Sequence, residues 1–321
     1  MTLDPEMAAL LEALRTLPRL ETMTPPQVRE VTQALARNSA PGPDLHAVEQ
    51  RRISTPAGSL PIRIYTPSER PTGLIVYYHG GGWVIGDLDS ADAALRDFAL
   101  RTDCCIVSVD YRLAPEHRFP AAVIDAQNAL DWATHARIEL TGHAVPVLLA
   151  GESAGGTLAA VTAILARDCG GPSIAGQLLF YPVTAADFST PSYETCAEGY
   201  FLTRPIMRWF WDHYVPDPDD RHDFRAAPLL APDLAQLPPA LIQSAEYDPL
   251  RDEGEAYGKR LAAAGVQVTL QRRAGLVHSF VGMAPLVRAA RIAVDDAVAW
   301  VRGAVVNAGE PGQGSMGRKS L

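Results

Sequence analysis

The chain has 321 residues, 47% of them hydrophobic, and a formal net charge of -9. That is enough apolar side chain for one large core in a single α/β domain, and the acidic balance without any basic run argues against nucleic acid and against an anionic membrane surface as partners. The start Met1-Thr2-Leu3-Asp4-Pro5-Glu6 is acidic where a signal peptide would be basic, no apolar run approaches membrane-spanning length, and Cys104, Cys105, Cys169 and Cys196 do not look like a disulfide framework. The expectation is a cytoplasmic protein with reduced thiols, in which Cys104 and Cys105 point to opposite faces of one strand.

Residues 1–40 open with apolar residues at helical spacing, Leu10, Leu11, Leu14 and Leu17 and then Val28, Val31 and Leu35, interrupted by Pro25-Pro26. Residues 53–65, with Pro56-Ala57-Gly58 inside, read as a hairpin. Residues 74–78 form an apolar strand that opens into His79-Gly80-Gly81-Gly82-Trp83. Three successive glycines cost conformational entropy, and a loop of this kind after a parallel strand can aim backbone N–H groups at a developing oxyanion. The strand at residues 104–109 leads into Val109-Asp110-Tyr111-Arg112-Leu113-Ala114-Pro115-Glu116, with Phe119-Pro120-Ala121-Ala122 beyond it.

The strand at residues 146–150 runs into Gly151-Glu152-Ser153-Ala154-Gly155-Gly156, followed by a small-residue helix. A serine at the tip of a sharp strand-to-helix turn needs small neighbours on both sides, and Gly151 and Gly155 supply them. Ser153 is therefore the candidate nucleophile, and Gly81, Gly82 and Ala154 are the candidate oxyanion donors. After a strand at residues 176–181 comes an insertion, residues 185–223, too long to lack its own structure and rich in aromatics, including Trp209, Phe210 and Trp211. The strand at residues 240–245 ends in Glu246-Tyr247-Asp248-Pro249-Leu250-Arg251-Asp252-Glu253, and the strand at residues 266–271 is followed by Gly275-Leu276-Val277-His278-Ser279-Phe280. An amphipathic helix over residues 284–306 closes the fold, and residues 309–321 are expected to be a disordered tail.

An activated serine needs a base, and the base needs an orienting acid; in folds that carry the serine on such a strand-to-helix turn the chain order is Ser, Asp or Glu, His. Of eight histidines, only His278 follows the acidic loop. Asp248 is the first choice for the acid, Asp252 the rival, and Glu246 sits too close to its strand. His79 is expected to brace the glycine loop, and His46, His117, His135, His143, His213 and His222 to be solvated. No histidine or cysteine pair has metal-ligand spacing, so a metal site is not expected, and acyl transfer through a serine requires no organic cofactor.

Taken together, His79-Gly80-Gly81-Gly82-Trp83, the stretch from Val109 to Ala122, Gly151-Glu152-Ser153-Ala154-Gly155-Gly156, Asp248-Pro249-Leu250-Arg251-Asp252-Glu253 and His278 resemble the hormone-sensitive-lipase-like branch of the α/β-hydrolases, the bacterial family IV esterases. The resemblance covers about residues 40–305 and departs at Glu152, where relatives often carry Asp, and at Ser279, where Gly is common. It implies an α/β-hydrolase fold: a mostly parallel central sheet flanked by helices, with a helical cap built from about residues 1–45 and 185–223. Trp83, Tyr181, Trp209, Phe210 and Trp211 are then the expected pocket walls, with ordinary cap core as the alternative for any single aromatic. The implied activity is hydrolysis of short- to medium-chain carboxylic esters, small-molecule substrates. An amide hydrolase on the same triad stays open, as does a ligand-binding receptor of this fold, although receptors of the family have lost the histidine that this chain keeps. A homodimer is left open.

Overall fold

The computed structural model describes residues 2–16, 18–37, 40–56 and 58–309. Leu17 and residues 310–321 of the tail expected over 309–321 lie outside the described residues, and Gly309 ends the last helix. Eight strands form one sheet: β1 (Ala47–Thr55), β2 (Gly58–Thr66), β3 (Gly73–Tyr78), β4 (Cys104–Val109), β5 (Val147–Glu152), β6 (Gly176–Phe180), β7 (Ala240–Tyr247) and β8 (Val268–Val277). Their spatial order is β1-β2-β4-β3-β5-β6-β7-β8, with β1, β2 and β4 paired antiparallel and every later neighbour parallel. The helices are α1 (Pro5–Leu14), α2 (Pro25–Arg37), α3 (Asp92–Thr102), α4 (Ala121–Thr141), α5 (Ala154–Asp168), α6 (Pro191–Thr195), α7 (Arg204–Tyr214), α8 (Arg251–Ala263), α9 (Phe280–Met283) and α10 (Arg288–Gly309). None is long and apolar enough to cross a membrane.

The two-residue period of the central strands divides the interior. Leu74, Val76 and Tyr78 of β3 enter a core shared with α4, α5, α7 and α8, whereas Ile75 and Tyr77 enter a second core shared with α3 and α10. Cys105 and Cys104 divide in the same way, as expected, and both are free. Both faces of β3, β4 and β6 are buried throughout, which is why these strands read as unbroken apolar runs.

Three boundaries differ by several residues from the sequence reading, the first being the opening hairpin, which begins at Ala47 and not at residue 53. The last strand continues to Val277 with an irregularity opposite residues 245–247, so His278 stands at the end of β8 and not in a free loop. The extension is held by its partners, since Arg272 pairs with Glu255 at 2.7 Å and the Gly275 N–H donates to Glu246 at 2.8 Å. The closing helix begins at Arg288, after the short α9.

The turn from β5 into α5 is the tightest point of the fold. Ser153 has φ +53° and ψ -120°, a conformation that L residues rarely hold. A Cβ on Gly151 would lie 2.2 Å from the Gly155 carbonyl oxygen, and one on Gly155 would lie 1.9 Å from the Tyr78 carbonyl oxygen. The obstacles are backbone, so they cannot swing aside. Gly155→Ala is therefore expected to lower stability by about 3 kcal/mol or more, read as a lower denaturation midpoint. An unchanged midpoint would mean that β3 and α5 are not packed this closely.

Candidate active site

Three side chains brought from distant parts of the chain meet above the C-terminal ends of the parallel strands, the usual place for ligands in such sheets. Ser153 follows β5, Asp248 follows β7 and His278 follows β8. The Ser153 hydroxyl donates to His278 Nε2 at 3.0 Å, and His278 Nδ1–H donates to Asp248 Oδ2 at 2.7 Å. The partners fix these roles, because a buried carboxylate only accepts. Asp248 is fully buried, and its other oxygen takes the Leu250 N–H at 2.9 Å. Its acceptor capacity is thus directed at one ring nitrogen and its own loop.

The rival acids face elsewhere. Asp252 accepts from the Ser192 N–H at 2.8 Å and from Arg251 at 2.9 Å, toward the insertion. Burial raises its pKa, but the Arg251 and Ser192 donors outweigh burial and hold it below the usual carboxylate range. Glu253 is buried, and one of its oxygens takes the N–H groups of Thr184 and Ala185 at 2.7 and 3.1 Å. Burial dominates there and pushes its pKa well up, against the pull of those two donors, which favours a neutral acid beside Asp248. Glu246 accepts from Gly275.

The glycine loop after β3 is folded back on itself. Gly81 and Gly82 have φ +113° and +57°, and the Gly81 carbonyl accepts from the Val84 and Ile85 N–H groups at 3.1 and 2.9 Å. A Cβ on Gly82 would meet the Phe210 ring at 2.1 Å, so glycine is what lets α7 close over the loop. The N–H groups of Gly81, Gly82 and Ala154 have no protein partner among the described residues. His79 is buried, donates from Nδ1 to the Gly80 carbonyl at 2.7 Å and stacks on Tyr111 at 4.3 Å. Burial lowers its pKa and favours the neutral ring, consistent with bracing and not with proton transfer.

The stretch after β4 supports the same loop. Tyr111 donates to the His79 carbonyl at 2.9 Å, the Ala114 N–H donates to the Trp83 carbonyl at 2.8 Å, and Arg112 forms an ion pair with buried Asp125 at 2.9 Å. Arg29 of α2 donates to the Val84 and Ala114 carbonyls at 2.8 and 2.7 Å and forms an ion pair with Glu116 at 2.7 Å, fastening the N-terminal helix to the loop.

A cavity of about 970 Å³ opens above Ser153 and His278. Its apolar wall includes Leu14 of α1, Val31 of α2, and Leu202, Ile206 and Phe210 from the insertion, while Arg15, Arg19, Glu21 and Glu198 stand at its polar side. Of the five aromatics expected as walls, the cavity reaches only Phe210. Trp83 and Trp211 are fully buried, Trp83 stacking on Tyr214 at 4.2 Å and meeting Trp211 edge-on at 5.1 Å, so they are core beneath the loop. Trp209 faces a separate shallow depression with Arg204 and Arg208. Tyr181 is buried behind His278. Successive residues of a helix point about 100° apart, which is why α7 gives the cavity one of its three neighbouring aromatics. The helical spacing of residues 1–40 pointed to helices, the family resemblance made them part of a cap and an alternative source of walls, and Leu14 and Val31 are the residues that serve, whereas no sequence signal marks Leu202 or Ile206. Among the described residues, no group of His, Cys, Asp and Glu could hold a metal ion.

Residues 75–282 match the family described as having the alpha/beta hydrolase fold. The chain is 41% identical over 297 residues to the carboxylesterase NlhH of Mycobacterium tuberculosis, covering 90% of this chain and 92% of that one. The chain belongs to the hormone-sensitive-lipase-like branch of the α/β-hydrolases. An arylesterase of Saccharolobus solfataricus is 37% identical over 287 residues, covering 88% of this chain and 93% of that one. The crystal structure of a thermostable esterase from Pseudomonas putida superposes with a TM-score of 0.88 at 36% identity, over 95% of this chain and 98% of that one.

Proposed function

We propose that this carboxylesterase works by two-step acyl transfer through Ser153, His278 and Asp248. His278 Nε2 takes the Ser153 proton as Oγ attacks the ester carbonyl, and the Gly81, Gly82 and Ala154 N–H groups hold the oxyanion. Asp248 keeps His278 in the tautomer that leaves Nε2 free to accept and stabilises the imidazolium once it forms. The imidazolium then gives its proton to the departing alkoxide, releasing the alcohol and leaving an acyl-Ser153 ester. Water, losing a proton to the same nitrogen, attacks this ester and releases the acid. Every proton is returned, and the residues alone account for the cycle. The observation that carries this reading is the hydrogen-bond chain of 3.0 and 2.7 Å from hydroxyl to imidazole to buried carboxylate.

The proposed substrates are uncharged esters of short- to medium-chain acids. The apolar wall supports this, because a charged acyl group would lose its hydration there without a partner. Turnover of p-nitrophenyl esters graded by acyl length tests the reading, beside a matched anilide. Ester turnover far above anilide turnover is expected, and the reverse would make the protein an amide hydrolase. Binding without turnover of any ester would make it a receptor.

Ile206→Ala and Leu202→Ala enlarge the wall without touching the glycine loop. Each is expected to raise hexanoate and octanoate turnover relative to butyrate, since a hydrophobic pocket discriminates by about 1–3 kcal/mol per methylene. Trp209→Ala, which faces the other depression, is expected to leave the profile unchanged. A shift with Trp209→Ala alone would move the acyl wall to the outer face of α7.

A cytoplasmic location and a homodimer complete the proposal. The first is supported by the free, buried thiols of Cys104 and Cys105, which suit a reducing compartment. Cell fractionation and sedimentation velocity test the two.

A further inference from the structure

Glu152 takes no part in the proton transfers above, and Tyr181 does not reach the cavity, yet the two are joined. Glu152 ends β5 one residue before Ser153, and Tyr181 follows β6. Tyr181 donates its hydroxyl to Glu152 Oε2 at 2.6 Å, and Tyr77 of β3 donates to Oε1 at 3.1 Å. Burial first, and the Glu152 charge second, push both phenols well above their ordinary pKa, so both remain O–H donors. The carboxylate thus ties the ends of β3, β5 and β6. It also backs the glycine loop, because a Cβ on Gly80 would lie 3.1 Å from Glu152 Cγ.

Tyr181 carries this anchor to His278. Its ring centroid lies 4.7 Å from that of His278, tilted by 59°, and it meets Phe280 edge-on at 4.9 Å. The Tyr181 backbone is held at φ +36°, uncommon for an aromatic residue, with its N–H donating to the Gln243 carbonyl at 2.6 Å. Backbone strain of this kind persists only where the surroundings over-determine it, and it clusters at sites where a side chain must be aimed. The bonds to Asp248 and Ser153 hold the two ring nitrogens of His278 and leave its faces to be set by packing. The Tyr181 ring lies against one of those faces.

We propose that Tyr181 and Glu152 are positioning residues for the base: Glu152 fixes the Tyr181 phenol, and the Tyr181 ring sets the plane of His278 so that Nε2 stays aimed at Ser153. This rests on the triad proposed above. Tyr181→Phe keeps the ring and removes the hydroxyl, whereas Glu152→Gln keeps the shape and removes the charge, so both are mild enough to fold. Each is expected to lower kcat for p-nitrophenyl butyrate by about tenfold with KM within about twofold, because small misplacement of a reacting group costs rate and not binding. The double variant is expected to lose less than the two single losses combined, since Tyr181→Phe removes and Glu152→Gln weakens the same bond.

Parent-like kcat in both single variants, a change confined to KM, or additive losses in the double variant would overturn the proposal. Ser153→Ala assayed alongside separates the two levels. If it stays active, the triad reading fails; if it is inactive while the Tyr181 and Glu152 variants match the parent, only the positioning proposal fails.

Discussion

Ser153→Ala is expected to fold like the parent and to hydrolyse p-nitrophenyl butyrate about 10⁴-fold more slowly or worse. The hydroxyl has one side-chain partner, His278 Nε2, so its loss leaves no buried carboxylate or backbone group stranded. Ser153 is nearly buried, with 7% of its surface exposed, and alanine fits the same turn without new atoms. The thermal midpoint should therefore stay within a few degrees of the parent. Catalysis is another matter, because removing the nucleophile leaves only the contribution of oxyanion donors and substrate binding. Retention of a parent-like burst of p-nitrophenolate would remove Ser153 from the mechanism.

The two carboxylates of one loop are expected to differ just as sharply. Asp248→Asn puts an amide where a buried acceptor faces His278 Nδ1 at 2.7 Å. The amide N–H₂ would favour the tautomer with the proton on Nε2, which cannot then accept from Ser153, and kcat should fall by about 10⁴-fold. Asp252→Asn disturbs the contacts to Ser192 and Arg251, and its effect on kcat should stay within about tenfold. Its cost should show mainly in stability, by about 1–2 kcal/mol, through a partly buried charge-assisted bond. Should Asp252→Asn prove the more damaging of the two, the orienting acid would be Asp252.

Much of this site was legible because chemistry imposes local spacing. Glycines flank Ser153 because a Cβ on Gly151 would lie 2.2 Å from the Gly155 carbonyl oxygen and one on Gly155 1.9 Å from the Tyr78 carbonyl oxygen, so Gly151 and Gly155 appear as a pattern. The order Ser153, Asp248, His278 follows from strands that deliver one side chain each to the same sheet edge. The central strands were readable from their apolar runs, since both faces of β3, β4 and β6 are buried. What was not legible depended on contact across the fold. Trp83 and Trp211 are large and aromatic in the right segments, but whether an aromatic lines a cavity or a core is decided by which neighbour it packs against, here Tyr214 stacked on Trp83 and Trp83 edge-on to Trp211.

The departures from the family pattern also acquire physical content. Ser279, standing where glycine is common, adopts φ +64°, a left-handed conformation that glycine holds at less cost. Glu152, standing where Asp is common, is long enough to reach the hydroxyls of both Tyr77 and Tyr181. The extension of β8 to Val277 escaped the sequence reading because Arg272 and Arg273 look like loop residues. They remain in the strand by pairing with Glu255 and Asp296 at 2.7 Å each.

The most direct test of the mechanism is covalent capture of the nucleophile. Diethyl p-nitrophenyl phosphate, whose phosphoryl group traps an activated serine, would be added to the enzyme, p-nitrophenolate release counted, and the protein mapped by peptide mass spectrometry. The expected result is one p-nitrophenolate per enzyme molecule, complete loss of esterase activity, and a diethylphosphoryl group on Ser153 that is absent from Ser153→Ala. Inactivation with the label on another residue, or full activity retained after stoichiometric labelling of Ser153, would contradict the proposed mechanism.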